Sequence, residues 1–372
     1  MRRDDGAVGV EDERSTPRVN EIDLLRFLAA IAVVLFHYSF RGYFADDRTT
    51  MPYLGLAPIG KYGYLGVDLF FIISGFVILM TASRGRVPEF VASRVARLYP
   101  AYWACCSITF LAILAIGDAR YTATVPQYFA NMTMLGGFFH VPYIDGSYWS
   151  LTVELKFYAM IGIVLLLGAL ARVQALLCAW LAAAIALRFW EIDSLGYWLI
   201  IDYAAYFIAG ATFFLIWSRG VSVVRAGLLI ASWLLALANA IEYSQEVADY
   251  YNTPISAFVV GAIVSIYFLV MLLVALRRTG ALARRRWVTL GALTYPLYLL
   301  HQQIGFMIFN LGYPKISAHL LFWGTIIGML ALAYVVHAQV ERRLAPRLRD
   351  ALNRTFAATG AIFSRSAART HA

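Results

Sequence analysis

Charge is what this 372-residue chain has least of. Only 14% of its residues are Asp, Glu, Lys or Arg, against 61% that are hydrophobic, whereas a soluble domain carries roughly a quarter charged residues. That shortage excludes an ordinary water-soluble enzyme. Cysteine is scarce as well. Cys105, Cys106 and Cys178 all lie in apolar segments, so neither a disulfide framework nor a cysteine metal site is expected, and they read as small buried hydrophobes. No tight ligand spacing such as His-x-x-x-His occurs, and no metal is expected. A cleavable signal peptide is not expected either, because the first 23 residues are polar and charged and the apolar run after them is long enough to span a bilayer.

What the chain does have is a succession of apolar runs of spanning length. Ten are read, at 24–41, 62–81, 98–117, 149–170, 174–190, 197–217, 222–242, 254–276, 288–310 and 317–340. The expected fold is all-α, a polytopic membrane helix bundle without a long internal repeat. Residues 1–21 read as a flexible N-terminal tail, 22–345 as the membrane domain and 346–372 as a C-terminal tail. The net charge of +9 would suit nucleic acid, but its distribution does not. The tails and the even-numbered connections hold 23 basic residues, and the odd-numbered connections hold six. That alternation follows membrane topology and places both termini in the cytoplasm, in keeping with an even number of spans. Membrane lipid is the expected surroundings, and no nucleic-acid partner is expected.

Orientation fixes the depth of each polar residue. Arg26, Arg94 and Arg97 fall at the cytoplasmic end, the last two sharing a side if their helix has already begun. His37, Asp68, Glu154, Asp202 and His301 fall toward the outer half on separate helices, and ionisable residues inside a membrane usually face the bundle interior and mark a site. Arg26 and His37 are eleven residues apart, close to three turns, so they share a face about 16 Å apart along the axis. A cation at the inner end and a base further out suit a ligand with an anionic head and a reactive group on a slender arm. Acyl-coenzyme A has that shape. Arginines match its phosphates, and His37 would stand at the acyl carbon, where an acceptor hydroxyl must lose its proton. Either Asp68 or Glu154 would orient the imidazole and stabilise its cation. Lys156, two residues from Glu154, is expected to point outward from another helix face. Tyr148, Trp149 and Asp145 sit at the outer mouth of the fourth span, where aromatic rings can stack on a sugar. Two rival readings are a proton-coupled transporter, which also uses intramembrane acids and histidines, and a non-catalytic acyl-presenting subunit. The arginine set with a same-face histidine favours a fixed, nucleotide-headed donor.

Five stretches carry a resemblance. They are Arg26 and His37 with ten residues between them; GYLGVDLFFIISGFVI (63–78) with Asp68, Ser74 and Gly75; SRVARLYPAYW (93–103) with Arg94 and Arg97; YWSLTVELKFY (148–158) with Trp149, Ser150 and Glu154; and TYPLYLLHQ (294–302) with Tyr298 and His301. In that order, over about 22–345, they resemble the integral membrane acyltransferases of the acyltransferase-3 type. The resemblance implies a multi-pass protein of a bacterial inner membrane, acyl-CoA dependent, that O-acylates a carbohydrate such as an exopolysaccharide or lipopolysaccharide precursor. A small secondary metabolite is the alternative acceptor. Acetyl is the commonest acyl group of such proteins. His37, Asp68 and Glu154 are the implied catalytic set. Arg26, Arg94, Arg97, Ser74 and Gly75 would hold acyl-CoA, and Trp149, Ser150, Tyr298 and His301 would bind or support the acceptor. No tightly bound cofactor is implied. The pattern departs at Leu155 and Lys156, where relatives often carry Glu-Gln, which bears on acceptor preference. Some relatives carry a fused extracytoplasmic hydrolase-like domain. About 30 polar residues after the tenth span cannot form one, so the chain completes transfer itself or through a separate extracytoplasmic transferase or polysaccharide assembly proteins.

Overall fold

The protein is described by a computed structural model covering residues 19–44, 46–190 and 192–370. The expected tail over 1–21 therefore lies outside the described residues except at its end. Among the described residues there is no strand, and eleven long helices make up the chain. They are α1 (Asn20–Phe36), α2 (Gly66–Ala82), α3 (Val87–Ile116), α4 (Trp149–Leu166), α5 (Val173–Leu187), α6 (Ile201–Arg219), α7 (Val223–Tyr250), α8 (Ala257–Ala275), α9 (Val288–Gly312), α10 (Ala318–Val336) and α11 (Arg342–Thr370). Side-chain caps start several of them. The hydroxyls of Ser222, Ser256 and Ser317 accept from the backbone N–H groups of Arg225, Val259 and Leu320, which satisfies donors that the first turn leaves open.

Nine helices among the described residues are long and apolar enough to cross a membrane, where ten spans are expected. The expected span at 288–310 is α9, whose 25 residues are long enough. Its Thr, Tyr, His and Gln residues lower its hydropathy. Fifteen of its residues are buried, and it packs on α1, α3 and α10. A helix enclosed by protein does not have to be apolar toward lipid. Two further boundaries differ. Helix α3 starts at Val87, eleven residues before the expected span, so Arg94 and Arg97 are both helical and share a side. Residues 342–370 form α11 where a tail is expected from 346. Its half-buried Ala345, Leu348, Leu352 and Phe356 recur at helical spacing, and the helix packs on α3.

The tightest seam joins α2 to α6 at Gly75 and Gly210. A Cβ on Gly75 would stand 2.3 Å from the Phe207 carbonyl oxygen, and one on Gly210 would stand 1.9 Å from that of Ile72. Only glycine admits such backbone contact. Gly75 thus serves helix packing and does not border the passage, contrary to the expectation that it lies beside a donor arm.

Candidate active site

After Phe36 the α1 backbone widens into a π-helical turn, His37–Arg41, a feature frequent at functional sites. His37 opens that turn and is buried. Its Nδ1 lies 2.8 Å from the Val33 carbonyl and 3.2 Å from His301 Nε2. The two rings meet edge to face at 4.9 Å. His301 Nδ1 lies 2.8 Å from the Tyr298 carbonyl. Carbonyl oxygens only accept, so the network assigns the proton of each ring to Nδ1. His37 Nδ1–H then donates toward Val33 and His301 Nε2, and His37 Nε2 is left as a lone pair. The expected carboxylate partner is not what this ring meets. Asp68 takes its hydrogen bond from Tyr206. Glu154 Oε1 accepts from Ser74 Oγ at 2.9 Å and from Tyr158 at 2.7 Å. Glu154 lies further inward, because α4 presents it to a different cavity, whereas Asp68 faces the same outer cavity as His37 but is bonded to Tyr206.

Those cavities form a row. An outer one of about 480 Å³ is lined by His37, Arg41, Asp68, Trp149 and Tyr298, with further tyrosines. A side lobe of about 440 Å³ shares Asp68, Tyr203, Tyr243 and Glu246 with it and adds Asp202 and Glu242. Each volume lies in the range of small-ligand sites. Inward, a constriction of about 50 Å³ is walled by Arg26, Ser74, Ser150, Glu154, Tyr295 and Tyr298. Next comes a space of about 40 Å³ that keeps Arg26, Ser74, Glu154 and Tyr295 and adds Arg94 and Arg97. The row ends in a cleft of about 630 Å³ at the arginine-rich end, again bounded by Arg94 and Arg97. Each cavity shares wall residues with the next, and the narrow part lies at Arg26 and Glu154. Arg26 is thus one station deeper than Arg94 and Arg97, although sequence depth groups all three. Arg97 is paired with Glu341 at 3.2 Å, and Glu341 also pairs with His337 at 2.6 Å.

Further contacts hold this arrangement, and sequence reasoning gave no role to Tyr38, Gln303 or Tyr295 and placed Asp145 only at the outer mouth. Asp145, fully buried, accepts from the Ser147 N–H and hydroxyl through Oδ1 and from the Gln303 N–H through Oδ2, at 2.7–2.9 Å. Burial pushes its carboxyl up to about 6 despite those donors. Tyr148 donates to the Leu299 carbonyl, and Tyr38 donates to that of His301 at 2.7 Å. The loop before α4 therefore fastens the stretch of α9 that carries His301. Its signal in the sequence is DGSYWS, where Asp145 stands four residues before the tryptophan of the Trp-Ser motif. The hydroxyls of Ser150 and Tyr298 lie 2.7 Å apart and close the wall between outer cavity and constriction. Tyr295 is buried with its hydroxyl unpartnered among the described residues, at the edge of both small cavities. Lys156 does not point outward. It is buried, lies over the Tyr197 ring, and donates to the Tyr197 carbonyl at 3.1 Å, because α6 and the segment before it cover that side of α4.

Comparison with known proteins agrees with the motifs. A family described as an acyltransferase domain matches residues 19–338. Nodulation protein 10 of Rhizobium leguminosarum bv. viciae is 26% identical over 93% of this chain and 98% of its own length. The putative membrane-bound transacylase BcsY of Komagataeibacter xylinus is 27% identical over 86% of this chain and 80% of its own. The exopolysaccharide production protein ExoZ of Rhizobium meliloti (strain 1021) is 30% identical over 26% of this chain and 33% of its own. No solved structure matches the chain.

Proposed function

The chain belongs to the acyltransferase-3 family of membrane acyltransferases, and on that premise we propose that it moves an acyl group from cytoplasmic acyl-CoA to a carbohydrate hydroxyl on the outer side of a bacterial inner membrane. The observation that carries this reading is the row of wall-sharing cavities. It starts between two arginines and ends at a buried histidine whose Nε2 is free. Arg26 and His37 stand about 16 Å apart on one helix face, which suits a pantetheine arm reaching from phosphates to thioester. The alternation of basic connections supports the sidedness.

In this reading the donor enters at Arg94 and Arg97, its pyrophosphate meets them and Arg26, and its arm passes Ser74, Glu154 and Tyr295. The acceptor occupies the outer cavity. Its hydroxyl gives its proton to His37 Nε2 while its oxygen attacks the thioester carbonyl. The carbon–sulfur bond breaks, and the proton passes from the imidazolium to the departing sulfur, releasing CoA. His301 holds the imidazole and takes part of the positive charge through Nε2. Asp68 and Trp149 face the acceptor, one as a hydrogen-bond acceptor for its hydroxyls and the other as a stacking ring. Acetyl is the proposed acyl group. A polysaccharide precursor is the proposed acceptor, supported by the role printed in the name of the exopolysaccharide relative. The test is purified protein in lipid with labelled acetyl-CoA. Free CoA should appear faster when the right glycan is added, and surface glycans from a strain lacking the gene should lose an acyl mass. CoA release unchanged by every glycan offered, with glycan masses also unaltered, would remove the proposal.

A further inference from the structure

The largest of the five cavities is built partly by a helix that the family match does not include. That match ends at residue 338, and α11 begins at Arg342. The cleft between α3 and α11 is lined by Arg94 and Arg97 from one side and by Arg342, Arg349 and Asn353 from the other. Arg97 is bonded to Glu341, whereas Arg342 and Arg349 are exposed and make no ion pair among the described residues. The Asn353 side-chain oxygen is buried without a partner among the described residues. Four guanidinium groups therefore face two carboxylates, Glu341 and Asp350, in a cleft large enough for a nucleotide. An acidic peptide needs no internal passage, and neither does a lipid headgroup. This cleft opens through shared walls at Arg94 and Arg97 into the row that leads to His37.

We propose that this cleft is a nucleotide site, in which α11 clasps the adenosine 3′,5′-bisphosphate end of the donor against α3. Arg342 and Arg349 bind phosphate oxygens and Asn353 takes the adenine amino group. The assignment rests on acyl-CoA being the donor. Its ligand chemistry, a phosphate group held by arginines, is shared with an anionic lipid headgroup, so the test separates the two. The full chain is placed in bilayer discs of neutral lipid, and binding of adenosine 3′,5′-bisphosphate is measured by calorimetry. The wild type should bind it, and an R342Q/R349Q variant should bind about tenfold or more weakly, as expected when charge-assisted bonds are lost. The variant's preference for acetyl-CoA over acetyl-4′-phosphopantetheine should fall by a similar factor through KM. Equal binding by both proteins, or equal loss with both donors, overturns the assignment. So does a difference between the two proteins that appears only when phosphatidylglycerol is added to the discs, which would mark a headgroup site. Bisphosphate binding that depends on Arg342 and Arg349, without turnover of either donor, leaves the nucleotide site standing and removes the catalytic reading instead.

Discussion

Replacing His301 isolates the contact on which the proposed base depends. His301 is fully buried, and its Nε2 stands 3.2 Å from His37 Nδ1. When His37 takes a proton at Nε2, its Nδ1–H becomes part of a cation, and a hydrogen bond from a charged group is worth about 1.5–3 kcal/mol. Among the described residues the only other acceptor is the Val33 carbonyl, which already takes the His37 backbone N–H. His301→Leu should therefore lower kcat by about tenfold to 150-fold, with KM for acyl-CoA little changed because donor contacts lie elsewhere. His301→Gln keeps an acceptor at a similar distance along the side chain and should recover much of that loss. The assay is the initial rate of CoA release in lipid, read beside melting temperature so that loss of packing is seen separately. A Leu variant with wild-type kcat would refute the argument, as would a Gln variant no better than Leu at equal stability.

Four further outcomes follow from the same geometry. His37→Ala should reduce transfer by about 10²–10⁴-fold in protein that inserts and melts normally, and substantial acylation by that variant would remove the base assignment. Tyr295→Phe removes an unpartnered buried hydroxyl, so it should leave melting temperature equal or higher while raising the KM for acyl-CoA; unchanged KM would mean that the hydroxyl does not meet the arm. Gly75→Val forces a side chain against the Phe207 carbonyl and should cost about 1–3 kcal/mol through overpacking, seen as a lower melting temperature. Burial pushes the Asp145 carboxyl up to about 6 in the folded chain, above its unfolded value near 3.9. Its protonation therefore favours the fold at pH 4, and that contribution, on the order of 3 kcal/mol, is lost as pH rises through 6. Asp145→Asn cannot titrate, so the gap in melting temperature between wild type and this variant should narrow from pH 4 to pH 7.

Much of this arrangement can be read from the linear chain, for a physical reason. Hydropathy forces the spans, and depth follows from rise per residue, so His37, Arg26 and Glu154 can be set at levels before any packing is known. What helices do to one another is not legible in the same way. Gly75 lies beside Ser74 in one motif, yet one residue is a 100° turn around the helix, and it takes Gly75 to the backbone of α6 while Ser74 reaches Glu154. The partner of His37 lies 264 residues away, and no spacing rule selects a second histidine over the two carboxylates at similar depth. Lys156 looks lipid-facing until Tyr197 covers it. Helix α11 was legible in part. Ala345, Leu348, Leu352 and Phe356 already recur at helical intervals, but the arginines between them give the stretch the low hydropathy of a tail.

Helix α9 shows why the polar residues are tolerated. In hydrocarbon each unsatisfied backbone group costs several kcal/mol, and Pro296 has no N–H to give the preceding turn. Across the following turns α9 takes bonds from outside itself: Ser147 and Tyr148 donate to the carbonyls of Tyr298 and Leu299, Tyr38 donates to that of His301, and Asp145 accepts from Gln303 N–H. These bonds set the azimuth of His301 and hence the nitrogen it presents to His37. A rigid histidine pair here is a product of the loop before α4 as much as of α1 and α9. That loop also leads straight into Trp149, the first residue of α4, at the outer cavity. Acceptor contact and base orientation thus share one anchor, so a change in the Asp145–Trp149 stretch that alters acceptor preference should also alter the rate with any acceptor. Independent variation of the two would mean that His301 is held by α9 alone.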